Sequence, residues 1–184
     1  MYLASVGKIT SAGGNVAVTG YGGGADGSVS SAANLNMGVY LAGGSYILAG
    51  GNGSTTVIGE GGANSTGGTG GSNYGVYING VASYISAANG EVNVTGNGGG
   101  NGGSGASNHG VYIVFATGTS ANGNIKSGST SSAVNVIGTG GASSGNDNYG
   151  VRVEGNAAAT ITTGGGNLTI NGTGGGKVTS ARVS

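Results

Sequence analysis

One motif recurs at nearly constant spacing: NMGVYL at 36–41, NYGVYI at 73–78, NHGVYI at 108–113 and NYGVRV at 148–153. Repetition at intervals of 35 to 40 residues marks a chain built from stacked supersecondary units rather than from one closed core. Started at the apolar triplet, the units are 1–38, 39–75, 76–110, 111–150 and 151–184, which together make one domain over 1–184.

Each unit has the same internal order. The first apolar stretch is Tyr2-Leu3, Val39-Tyr40-Leu41, Val76-Tyr77-Ile78, Val111-Tyr112-Ile113 or Val151-Arg152-Val153. A second is centred on Ile9, Ile47, Ile85, Ile125 or Ile161. The third alternates as Val16/Val18, Thr55/Val57, Val92/Val94, Val134/Val136 and Leu168/Ile170, and a glycine-rich segment follows it. Alternation with period two and β-branched residues predicts half-buried strands. Helix spacing is absent, and glycine at this frequency costs a helix about 1 kcal/mol per residue. Three short strands cannot bury an apolar face alone, but units stacked at about 4.8 Å share one interior and one backbone ladder. The expected fold is all-β: a β-solenoid of about five coils, three strands each, with a glycine-rich loop after the third strand.

Composition excludes the main competitors. Collagen needs a strict triplet period and proline, whereas the 48 glycines here have no such period and proline is absent. Disorder favours low hydrophobicity and high net charge, yet 36% of residues are apolar and the formal charge is zero. The cations Lys8, Lys126, Arg152, Lys177 and Arg182 are scattered, which argues against nucleic acid or an anionic membrane as partner. No apolar run approaches a membrane span, and MYLASVGKIT lacks the pattern of a secretory signal.

Asn36, Asn73, Asn108 and Asn148 share one slot, two residues before Gly38, Gly75, Gly110 and Gly150. In stacked coils they are expected to form an asparagine ladder, amide on amide, with the glycine adopting positive φ at the bend. Tyr2, Tyr40, Tyr77 and Tyr112 are expected to line up as an exposed aromatic column capped by Arg152. Tyr46 and Tyr84 predict a shorter second column.

Units of this kind, such as NYGVYINGVASYISAANGEVNVTGNGGG at 73–100, resemble the repeats of large bacterial surface proteins of the filamentous-haemagglutinin and autotransporter-passenger type. The resemblance covers essentially the whole chain. It implies a right-handed parallel β-helix in an extracellular or cell-surface stalk, adhesin or fibre, and it carries over no catalytic residue.

Polysaccharide-acting β-helix enzymes cluster carboxylates on one face. Here Asp26, Glu60, Glu91, Asp147 and Glu154 fall in five different slots, and Glu154 is expected to pair with Arg152. His109, the one histidine, stands where other units carry Met37, Tyr74 and Tyr149, a turn slot without acidic or cysteine neighbours. The sequence thus nominates no catalytic, cofactor-binding or metal-binding residue. An ice-binding face would need an unbroken threonine column, and Ala17, Thr56, Asn93, Asn135, Thr169 is mixed. The glycine-rich stretches near 20–35, 59–72, 96–107 and 138–147 read either as mobile excursions or as extended segments packed on one another. KVTSARVS at 177–184 reads as a further strand. The functional expectation is a non-catalytic structural solenoid that associates with itself head to tail, with a glycan-binding adhesive module as the alternative.

Overall fold

The computed structural model describes residues 1–23, 34–62, 68–114, 124–155 and 159–176. Asp26, Lys177, Arg182 and the segment 177–184 lie outside the described residues. The first coil holds β1 (Tyr2–Leu3), β2 (Lys8–Ser11) and β3 (Val16–Tyr21). The second holds β4 (Val39–Ala42), β5 (Tyr46–Ala49) and β6 (Thr55–Glu60). The third holds β7 (Val76–Asn79), β8 (Tyr84–Ala87) and β9 (Val92–Asn97). The fourth holds β10 (Val111–Val114), β11 (Asn124–Ser127) and β12 (Val134–Thr139), and the fifth holds β13 (Val151–Glu154), β14 (Thr160–Thr162) and β15 (Leu168–Thr173).

Strands of equal rank pair in parallel and build three five-stranded sheets: β1-β4-β7-β10-β13, β2-β5-β8-β11-β14 and β3-β6-β9-β12-β15. The fold is a parallel β-solenoid. Its register follows the sequence repeat residue for residue. In the first sheet Tyr2 faces Tyr40, Tyr40 faces Tyr77, Tyr77 faces Tyr112 and Tyr112 faces Arg152. In the second, Ile9, Ile47, Ile85, Ile125 and Ile161 stand in one row. In the third the row is Val16, Thr55, Val92, Val134 and Leu168.

Alternation decides which side chains reach the interior. Val39, Leu41, Val76, Ile78, Val111 and Ile113 of the first sheet are fully buried, and so are Ile47, Ile85 and Ile125 of the second. Val57, Val92, Val94, Val134 and Val136 close the third wall. Each such side chain contributes roughly 1.5–3 kcal/mol when removed from water. Thr55 interrupts the apolar row, and its hydroxyl is satisfied in place: it donates to the Ser86 carbonyl at 2.6 Å and accepts from the Ala49 N–H at 3.0 Å.

Glycine after the third strand extends the ladder. The N–H groups of Gly22, Gly61, Gly98 and Gly140 donate to the carbonyls of Glu60, Asn97, Thr139 and Thr173 one coil on, at 2.7–2.8 Å. Those of Gly62, Gly99, Gly141 and Gly175 donate to Asn36, Asn73, Asn108 and Asn148 carbonyls, also at 2.7–2.8 Å. Backbone lies on backbone here. A Cβ on Gly61, Gly98 or Gly140 would come within 2.1–2.3 Å of one of those asparagine carbonyls.

Candidate functional site: the aromatic corner and the coil ends

The corner that leads into the first sheet carries most of the repeat's distinctive chemistry. It begins with a residue in the left-handed region: Leu35, Ser72, Ser107 and Asp147 have φ of 59–60°. Positive φ was expected at the glycines two residues after each asparagine, and the structure places it instead on the residue before. The glycines serve a different need. A Cβ on Gly38, Gly75, Gly110 or Gly150 would lie 2.3–2.4 Å from the backbone nitrogen of Glu60, Asn97, Thr139 or Thr173. No side chain fits between two turns of main chain that approach so closely.

The asparagines of this corner bond through main chain and side chain alternately. Asn36, Asn73 and Asn108 each donate their backbone N–H to the Oδ1 of Asn73, Asn108 and Asn148, at 3.0, 3.1 and 2.9 Å. The contact therefore runs from main chain to amide oxygen rather than amide on amide. The amide nitrogens turn the other way and hold the preceding segment. Asn108 Nδ2 donates to the Gly105 carbonyl at 2.9 Å and to Ser143 Oγ at 3.3 Å, while Asn148 Nδ2 reaches Gly145 O at 2.7 Å and Ser143 Oγ at 3.0 Å. The carboxamides of Asn108 and Asn148 thus tie two coils and a bend together in a buried setting, where unmade hydrogen bonds are costly.

On the outer side of the first sheet the tyrosine rings stack. Centroid separations are 4.8 Å for Tyr2–Tyr40, 4.9 Å for Tyr40–Tyr77 and 5.2 Å for Tyr77–Tyr112, with interplanar angles of 13°, 20° and 17°. The Arg152 guanidinium lies over Tyr112 at 5.2 Å. Strand spacing fixes this separation. Tyr2 is exposed, with 65% of its surface open, whereas Tyr40, Tyr77 and Tyr112 are half-buried because each ring covers the next.

A second row of side chains at the corner makes that burial deeper. Tyr74 lies 5.3 Å from His109, stacked, and His109 lies 5.4 Å from Tyr149. The two rows interlock: Tyr74 meets Tyr77 at 4.8 Å and meets Tyr112 edge-on at 5.2 Å, and His109 meets Tyr112 edge-on at 5.0 Å. Burial, followed by the neighbouring tyrosine hydroxyls, pushes the Tyr77 phenol well above its ordinary range. Tyr112 is pushed up to about 12, by burial first and then by its hydrogen bond to the Glu154 carboxylate at 2.8 Å.

Arg152 gathers the end of this cluster. It bonds Glu154 at 2.7 Å, approaches His109 Nε2 at 3.1 Å and lies over the Tyr149 ring at 5.4 Å. His109 is fully buried and also faces the Tyr149 N–H, 3.2 Å from its Nδ1. A neutral imidazole has one lone pair to offer these two donors, and an imidazolium would turn N–H groups toward both. Burial and the adjacent guanidinium accordingly lower the His109 pKa to about 4, although Asp147 and Glu154 pull it the other way.

Tyr46 and Tyr84 stack at 4.7 Å on the second sheet, with Lys8 over one ring at 5.5 Å and Lys126 over the other at 5.3 Å. An open depression of about 470 Å³ beside Tyr2 is lined by Tyr40, Tyr77, Met1, Leu35, Met37 and Asn79. At the far end of the solenoid Leu168 and Ile170, in register with the buried Val134 and Val136, are 45% and 49% exposed. Among the described residues no group of three or more His, Cys, Asp or Glu side chains converges on a metal position, and no helix is long and apolar enough to cross a membrane.

The aromatic row at Tyr74, His109 and Tyr149 is the part that sequence reasoning passed over as ordinary turn residues. Its signal was present: rings recur three residues before Tyr77, Tyr112 and Arg152. No protein-family model matches the chain, and neither a curated protein nor a solved structure is found similar to it.

Proposed function

We propose that this chain is a non-catalytic structural β-solenoid of an extracellular or cell-surface bacterial protein, stacking end to end as a fibre or contributing to a longer stalk or adhesin. The observation that carries this reading is the register. Every sheet pairs the same repeat slots coil after coil, and among the described residues the last coil leaves Leu168 and Ile170 exposed. Exposed strand edges over an apolar cross-section favour another coil as neighbour. Right-handed winding accompanies the reading, since crossover connections between parallel strands strongly prefer that hand. The polar side chains best placed for chemistry are engaged structurally: Glu154 by Arg152 and Tyr112, Asp147 by Tyr149 and His109 by its two donors.

Sedimentation of the concentrated protein, with electron microscopy of the same sample, tests the proposal. It predicts concentration-dependent growth into unbranched filaments, and a monomer at every concentration overturns it.

A glycan-binding module is the second reading, favoured by the depression beside Tyr2. Sugars stack on ring faces, and Tyr40 and Tyr77 have both faces covered by neighbouring rings. Within this depression, ring stacking is therefore confined to the outer face of Tyr2. A glycan array separates the readings: specific retention abolished by Tyr2→Ala supports the module, and no retention supports the scaffold.

A further inference from the structure

We infer that the partner of the last coil is the first coil of a second copy of this chain, docked in one defined register. The inference rests on the structural reading above and fixes its geometry. β13, β14 and β15 form one end of the three sheets, and β1, β2 and β3 form the other. If the first coil of the next copy takes the place of a sixth coil, every slot is already assigned by the pairing within the chain.

Arg152 then meets Tyr2, Val153 meets Leu3 and Ile161 meets Ile9, while Leu168 and Ile170 meet Val16 and Val18. The chemistry of the two ends agrees slot by slot. The guanidinium of Arg152 rests on Tyr112 on one side. Its other side would receive the free face of Tyr2, the most exposed ring of the column, so that a cation joins two tyrosine rows. Leu168 and Ile170 lose their exposure against an apolar row that is itself nearly closed, Val16 and Val18 being 7% and 8% exposed. Gly172 meets Gly20, continuing the row of small residues through Gly59, Gly96 and Gly138. The Lys8 side of the junction faces Thr160 rather than another cation.

A two-fold contact between like ends would reverse strand direction and pair unlike slots. The head-to-tail contact alone keeps the parallel ladder. It is heterologous and does not close, so it propagates.

The chain has no cysteine, which makes cross-linking clean. Ala17 and Thr169 occupy the same slot on the outer face of the third sheet, in the first and last coils, and both are exposed. Across the junction their Cα atoms would lie about 4.8 Å apart, inside disulfide range. Within one chain they are four strand spacings apart, roughly 19 Å, too far to bridge. The double variant Ala17→Cys/Thr169→Cys, oxidised at high concentration, should give a covalent ladder of dimers, trimers and larger species that reductant collapses. Ala17→Cys/Asn171→Cys, two residues out of register, should give at least tenfold less. Filaments that form without cross-linking, or equal cross-linking in both variants, overturn the register and leave the stacking reading intact. Single particles throughout remove the stacking reading, and this inference with it.

Discussion

Nε2 of His109 lies 3.1 Å from a guanidinium nitrogen of Arg152, forty-three residues further along the chain and one coil away. A buried imidazole held between this cation and the Tyr149 N–H is stable only when neutral. Its pKa falls from 6.5 to about 4.

The sign of the pH dependence follows. Between these values the unfolded chain binds a proton that the folded chain refuses, so stability rises with pH across that window. The contribution is complete above about 6.5 and drains away as pH falls toward 4. Proton NMR titration of the one histidine should give a midpoint near 4 in the folded protein, and a midpoint near 6.5 would contradict the burial of the ring. His109→Tyr, which installs the residue of the neighbouring coils, should remain folded and lose this dependence.

The tyrosine columns give the opposite limb. Tyr112 ionises at about 12 instead of 10, and Tyr77 is raised too, because burial disfavours the phenolate. The unfolded chain loses its phenolic protons first, so stability is intact below pH 10 and declines between 10 and 12. Phenolate absorbance should therefore resolve a late-titrating class among the nine tyrosines. A single transition near 10 would show that the rings do not cover one another.

Asn108→Ala removes the acceptor of the Asn73 N–H and the donor to Gly105 and Ser143, all in a buried corner. Groups left unpaired there cost about 1–3 kcal/mol each, and urea unfolding should show a loss of about 2–4 kcal/mol. Asn36→Ala, at the half-exposed start of the row, should cost under about 1 kcal/mol. Equal effects would mean that the asparagines act singly and not as a ladder.

Two glycines make a controlled pair. A Cβ on Gly138 would lie 2.0 Å from the Gly150 carbonyl oxygen, with main chain on that side, whereas a Cβ on Gly13 meets nothing within 4 Å. Gly138→Ala should cost about 3 kcal/mol or prevent folding, and Gly13→Ala should fall within about 0.5 kcal/mol of the parent. Soluble yield and thermal unfolding distinguish them.

The architecture was legible because the repeat and the strand alternation coincide: the slot of Ile47 in one unit is the slot of Ile85 in the next, and nothing beyond one-dimensional spacing is needed to pair them. The tyrosine separations are legible for the same reason, since strand spacing alone dictates them. What spacing does not show is the corner. Tyr74 and Tyr77 are three residues apart, a separation that puts them about 10 Å apart on opposite faces of an extended strand. Only the bend at Gly75, between them, brings the rings to 4.8 Å. The burial of His109 is invisible for that reason, because it is created by coils on either side and by Arg152 from the next. The role of Gly75 was misread similarly: glycine suggests positive φ, but the constraint here is the main chain of the neighbouring turn, which a single strand does not reveal.

Cryo-electron microscopy of the concentrated protein tests the central claim most directly, because the claim is that identical slots lie one strand spacing apart both within a chain and from one chain to the next. Five coils at about 4.8 Å give a subunit repeat of about 24 Å along the filament axis, with the strand spacing itself visible throughout. That repeat is the predicted result. A filament with any other subunit rise, or a sample of isolated particles with no axial order, would contradict the account.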